Sequence, residues 1–291
     1  MQLSPIQRLI IKRLILLLFI TFLMIGAIVL QIFGVLQARD VDMILGIILI
    51  LYVLPPFILG AIKLYRNHRM SAHSEYELIH SAREVIPEEV WSHIRETVAD
   101  LNQCGFKVAA HFRKPGVTAA TSFVTLFESV NHLTLAKLNT IFVTNRGGAP
   151  GHHSLAFFNE SVDGTEFVTS NTDVLGHTPR RNNKISLNVP DVRNPRDLYE
   201  LHERLVERFC KTPKPFDLDG NPAEYMKKYS EAQVAYWVKK RYYRLDETAR
   251  AYRLTWKGAV LSAWKYNSLT KAIRRALRSH QTNKLLRKLE E

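Results

Sequence analysis

The chain has 291 residues, 46% of them hydrophobic and 10% aromatic, with 40 Lys+Arg against 27 Asp+Glu and two cysteines. This composition excludes a disordered chain and a disulfide scaffold, and the length allows about two compact units. The formal charge of +13 is segregated: residues 1–69 carry +5, residues 70–226 carry −4 and residues 227–291 carry +12.

No residue between Arg13 and Arg39 is charged, and 14–36 is almost wholly Leu, Ile, Phe, Val and Met. As a helix this stretch reaches about 34 Å, enough for a bilayer core of about 30 Å. After a polar break at Gln37–Asp42, Met43–Ile62 is again uncharged. Pro55-Pro56 interrupts it, which predicts a kinked span or, alternatively, a re-entrant segment. Residues 1–69 are therefore expected to form a two-pass transmembrane hairpin, with spans at about 14–36 and 43–64. Arg8, Lys12 and Arg13 precede it and Lys63, Arg66 and Arg69 follow it, so the positive-inside rule places both termini in the cytoplasm. The expected localisation is that of an integral, multi-pass membrane protein. Cys104 and Cys210 read as part-buried thiols of a reducing compartment.

Residues 70–210 read as a cytosolic α+β domain. Pro87–Gln103 is predicted helical, with Pro87 at the first position, Glu88 and Glu89 at the positive end, and Val90, Ile94, Val98 and Leu101 in one stripe. Gly105 stops it. Val-, Phe-, Thr- and Ile-rich runs at Phe106–Arg113, Ala120–Val130, Leu138–Asn145, Leu155–Ser161 and Thr165–Ser170 then predict about five antiparallel strands, with Asp163-Gly164 as a hairpin turn. Asn194-Pro195 caps a second helix, through about Phe209. Residues 211–220 read as a linker, and residues 221–291 as a basic helical C-terminal region opened by Asn221-Pro222.

Several residue groups could carry chemistry. Asp217–Gly220 resembles the opening of a calcium loop, but the glycine is early and Lys228 stands where a bidentate Glu is needed. Asn145–Gly151 is glycine-rich without the Lys-Ser/Thr of a P-loop, and reads as a loop in which Arg146 could meet an anionic ligand. His152 and His153 are adjacent, with His111, His177 and His202 elsewhere; no metal-ligand spacing links them, and His152 and His153 read as exposed loop histidines. Thr169–Asp173 is a polar cluster at a strand end, where Asn171 and Asp173 are ligand-contact candidates. No catalytic residue, metal site or cofactor is predicted.

Residues 225–291 hold 7 of the 11 tyrosines and 3 of the 4 tryptophans but no phenylalanine. Enrichment in the two aromatics with polar handles is what a wet–apolar boundary selects. Ala272, Ile273, Ala276 and Leu277 share a face opposite Lys271, Arg274, Arg275 and Arg278, and Trp256 and Trp264 lie one segment earlier. Three readings stay open: a helix on anionic lipid head groups, a helix docked on the α+β domain, and, least favoured, a nucleic-acid arm. The sequence thus predicts an α-helical two-pass membrane hairpin, a cytosolic α+β domain and a helical basic C-terminal region. The expected function is binding or scaffolding at the inner membrane face, with a protein partner or small ligand unidentified. The alternative is a membrane-tethered hydrolase or transferase on a lipid-linked or anionic substrate.

Overall fold

Asn194 accepts a hydrogen bond from the Arg196 backbone N–H and precedes a proline at the first helical turn; Asn221 does the same toward Glu224. These two caps start helices where the sequence places them, and they frame the architecture. The computed structural model describes residues 39, 43, 55, 57–71, 76–115, 120–143, 150–172, 179, 183–216, 218, 220–249 and 251–290. The chain divides into two units, Met1–Ile62 and Lys63–Glu291.

In chain order a helix at 57–67 (α1) is followed by β1 (Arg69–Ser71), β2 (Glu77–Ile79), α2 (Ala82–Val85) and α3 (Glu88–Gln103). Next come β3 (Phe106–Pro115), β4 (Ala120–Ser129), β5 (Leu135–Val143), β6 (Pro150–Ser161), β7 (Glu166–Ser170) and β8 (Lys184–Asn188). The chain continues with α4 (Pro195–Phe209), β9 (Pro213–Lys214), α5 (Pro222–Lys239), β10 (Tyr243–Asp246), β11 (Ala251–Leu254), α6 (Trp256–Tyr266) and α7 (Ser268–Glu290). The large sheet runs β2-β3-β4-β5-β6-β7-β8, with β9 added beside β6, and a small sheet runs β1-β11-β10.

Period-two alternation splits the large sheet into two faces. One face carries Phe123, Phe127, Leu138, Leu155, Phe157, Phe167 and Leu187, and α3 and α4 cover it with Val90, Ile94, Leu101, Leu198 and Leu205. Each such side chain contributes about 1.5–3 kcal/mol on burial. His202 of α4 is fully buried in this layer. Asn159 Oδ1 accepts from its Nε2 at 2.7 Å, and the Thr169 hydroxyl lies 3.0 Å from its Nδ1. On the other face a smaller cluster of Ala110, Phe112, Val124, Leu126, Leu135, Leu218 and Met226 seats the start of α5.

The two-pass membrane hairpin expected from the sequence is corrected. Among the described residues no helix is long and apolar enough to cross a membrane. The 14–36 stretch lies outside the described residues. Within 43–64 the described residues are 43, 55 and 57–64, and those from 57 onward belong to α1. The localisation as an integral two-span protein with cytoplasmic termini is corrected with it. What folds is an α+β unit with an eight-stranded mixed sheet.

The sheet differs from the predicted five-stranded antiparallel meander in its margins. The strands read at 106–113, 120–130, 138–145, 155–161 and 165–170 correspond to β3–β7, and Asp163-Gly164 turns between β6 and β7 with Gly164 at φ +78°. Three short strands join them: β2 along β3, β9 along β6, and β8, which pairs parallel to β7. A parallel partner arrives by a crossover rather than a tight turn, so local turn chemistry does not announce it. The C-terminal region is also not wholly helical: β10 and β11 form a hairpin inside it, and β1 adds to β11 from far upstream.

Candidate functional site

The polar face of β5–β8 forms the floor of a cavity. Lys137 and Asn139 of β5, Ser154, Ala156 and Phe158 of β6, Glu166, Val168 and Ser170 of β7, and Lys184, Ser186 and Asn188 of β8 point the same way. The registers fix this: Lys137 pairs with Ala156, Ala156 with Ser170, and Ser170 with Asn188, while Phe158 pairs with Val168 and Val168 with Ser186. Tyr229, Gln233, Tyr236 and Trp237 of α5 close one side, and Lys265 of α6 with Arg274 and Arg278 of α7 close the top. The cavity is open to solvent on part of its rim and has a volume of about 570 Å³, within the range of small-molecule sites.

Charge distinguishes this cavity. Among its described lining residues are five cations, Lys137, Lys184, Lys265, Arg274 and Arg278, and one carboxylate, Glu166. Glu166 Oε2 lies 3.3 Å from Lys184 Nζ in a largely buried ion pair. Lys137 and Lys184 also sit over the Phe158 ring, 5.5 and 5.7 Å from its centroid. Those contacts hold both ammonium groups on the floor by cation–π attraction. Asn188 joins floor to roof. Its Nδ2 donates to Ser170 Oγ and the Thr172 carbonyl, its Oδ1 accepts from Arg278 Nη1 at 3.4 Å, and its backbone carbonyl accepts from Thr282 Oγ1 at 3.0 Å.

A second, smaller cavity of about 90 Å³ shares Lys137, Phe158, Glu166 and Tyr229 with the first and continues among Leu126, Leu135, Phe216, Tyr225 and Met226. It is the more apolar of the two. Burial, with Glu166 and Glu160 nearby, pushes the Tyr225 phenol upward, so it stands there as a neutral hydroxyl. Together the two cavities offer a cationic chamber with an apolar, aromatic annex.

The predicted site residues are sorted by this geometry. Arg274 and Arg278 reach the cavity, whereas Lys271 and Arg275 of the same helix are exposed. The reason lies in the stripe Thr270, Arg274, Arg278, Thr282 and Leu286, spaced four residues apart. Thr270 and Thr282 are buried, and Leu286 packs with Leu285 and Leu289 against the main core, which sets the rotation of the helix. The apolar stripe then faces outward, with Ile273 51% and Leu277 58% exposed. Trp256 and Trp264 are also about half exposed, Trp256 standing edge-on to Tyr65 at 5.8 Å. Asn171 accepts the Leu155 backbone N–H through Oδ1 at 2.8 Å, a structural bond between β6 and the end of β7. Arg146 and Asp173 lie outside the described residues.

The described histidines are placed apart from the cavity. His152 and His153 lie on β6 rather than in a loop. The ring of His153 lies 3.9 Å from that of His93 of α3, and burial, with His93 and His152 beside it, pushes its pKa down to about 4. His177 lies outside the described residues. No group of three or more His, Cys, Asp or Glu side chains among the described residues could hold a metal ion.

Lys137, Lys184, Lys265, Asn188 and Phe158 were not singled out by the sequence. For the strand members the signal was alternation: four consecutive strands each place Lys, Asn, Ser or Glu on one face while the other is mostly apolar, in a chain with helices enough to cover both. Comparison with protein-family models, with curated proteins and with solved structures finds no match to this chain.

Proposed function

We propose that the Lys63–Glu291 unit is a binding domain for a small anionic molecule carrying a planar or apolar group. One observation carries the reading: five cations from β5, β8, α6 and α7 converge on one cavity that holds a single carboxylate among its described lining residues. Gathering like charges on rigid elements costs stability and is offset when an anion enters. The guanidinium forks of Arg274 and Arg278 suit phosphate or carboxylate oxygens, and Phe158, Tyr229 and Trp237 offer ring surface beside them. The described lining contains no histidine or cysteine, and its one carboxylate is paired with Lys184. That favours retention of a ligand over acid–base chemistry on it.

The test is thermal unfolding of the full chain with ATP and with inorganic tripolyphosphate. Both should raise Tm at low salt, and ATP should retain more of its effect at high salt because ring contacts are not screened. The gain should shrink in the Lys137→Gln/Lys184→Gln double variant. No stabilisation by either compound, or equal stabilisation of the variant, would overturn the reading.

A further inference from the structure

We infer that residues 268–278, the first half of α7, form a roof that closes over the cavity when a ligand bearing two or more separated anionic groups bridges it to the sheet. The inference rests on the anion-binding reading above and adds what kind of anion is held and what it does to the fold.

The cations stand on two opposed walls. Lys137 and Lys184 belong to the floor, on strands fixed in the centre and at the edge of the large sheet. Arg274 and Arg278, one helical turn apart, belong to the roof, and Arg274 Nη1 donates to the Lys265 carbonyl at 3.4 Å. A single small anion can answer one wall; an oligophosphate-like chain can answer both at once, with the guanidinium forks on one end and the ammonium groups on the other.

The roof is built to move. The two halves of α7 are held differently. Its second half is anchored by buried Thr282 and by Leu285, Leu286 and Leu289 against the main core. From Lys271 to Gln281 no residue is buried, and only Arg274 and Arg278 are even partly so. Asn267, with φ −59° and ψ 138°, breaks the helix between α6 and α7 and supplies a hinge at the other end. A segment anchored beyond both ends, with no buried residue from 271 to 281, opens at lower free-energy cost than the packed second half. A multivalent anion adds bonds that only the closed form makes, and so shifts the population toward closure.

The experiment uses the full chain, with inorganic tripolyphosphate and orthophosphate as probes. It reads affinity by calorimetry, and tryptic cleavage after Lys271, Arg274, Arg275 and Arg278 by mass spectrometry. Tripolyphosphate should bind and slow cleavage in this segment by about tenfold, while orthophosphate at equal concentration slows it little. Because each guanidinium makes charge-assisted bonds to the anion, Arg274→Gln/Arg278→Gln should lose at least about tenfold in affinity. Lys271→Gln/Arg275→Gln, which removes the same charge from the exposed side, should keep it, with protection read at the two remaining arginines. If tripolyphosphate binds without protecting the segment, closure is wrong and the anion-binding reading survives. If Lys271→Gln/Arg275→Gln loses as much affinity as the inner pair, binding is diffuse surface charge and the two-wall geometry is wrong. If neither probe binds, both inferences fall.

Discussion

Phe157 and Phe158 are neighbours on β6 and live in opposite chemistries. Phe157 is fully buried between Phe106, Tyr199 and His202, with ring centroids 5.3–5.7 Å away, in the dry layer sealed by α3 and α4. Phe158 faces the chamber and carries two lysines on its ring. The same strands build both environments because the pleat sends successive side chains to opposite faces. The dry face owes its stability to packing. The wet face is a surface of like charge and polar groups roofed by helices, an arrangement that stability alone would not select.

The sharpest test of this contrast is truncation of the paired rings. Phe157→Ala should cost about 3–5 kcal/mol in a urea unfolding experiment, because the cavity left in a close-packed layer does not refill. Phe158→Ala should cost less than half of that and should instead weaken tripolyphosphate binding. Equal losses of stability would erase the distinction between the faces.

Acid should attack the dry face next. Burial holds the His202 pKa down at about 3, and its two hydrogen bonds suit a neutral ring. The unfolded chain takes up a proton near pH 6.5 and the folded chain does not, so the contribution is intact above pH 6.5 and lost as pH falls toward 3. One such group lowers stability by about 1.4 kcal/mol per pH unit within that window. Burial also lowers the pKa values of His93, His111 and His153, which act in the same direction. Stability measured at pH 7.5 and 5 should therefore fall, and the His202 imidazole resonance should stay at its neutral position down to about pH 4. A His202 resonance that titrates near pH 6.5 would show that the layer is open to water.

A third test falls on the small sheet. Gly-to-Ala inside a helix ordinarily stabilises by about 0.5–1 kcal/mol. At Gly258 of α6 the added Cβ would fall on the Tyr242 carbonyl oxygen, with Leu254 Cδ2 at 3.0 Å. The sign should reverse, and Gly258→Ala should cost about 1–3 kcal/mol by overpacking. The smallest stability effect belongs to the chamber. Lys137→Gln should change unfolding free energy by no more than about 0.5 kcal/mol while lowering affinity for tripolyphosphate. A larger loss would mean that the floor lysine is part of the structural core.

The parts of the site legible in the sequence were those with local signals. Arg274 and Arg278 stood out as members of a basic stripe, but the stripe does not say which two of four cations turn inward. That depends on Leu285, Leu286 and Leu289 meeting the core about two to four turns later. Lys137 and Lys184 were hidden because a lysine on a strand reads as a solvated outer face until helices are known to cover it. The joining role of Asn188 had no local signal; its four hydrogen bonds reach Ser170, Thr172, Arg278 and Thr282, all distant in sequence.

What the sequence determined by itself is the set of elements whose energetics are local. The Asn194 and Asn221 caps, the stripe of α3, the Asp163-Gly164 turn and the alternation of β3–β7 each rest on residues within one or two turns of each other. Tertiary structure alone decided the rest. The parallel addition of β8 to β7 and the union of β1 with β11, some 180 residues apart, satisfy strand edges that exist only once the neighbouring strands are formed. The same holds for the chamber, because a cavity is made by elements meeting, and the rotation of α7 over the sheet settles which charges it encloses.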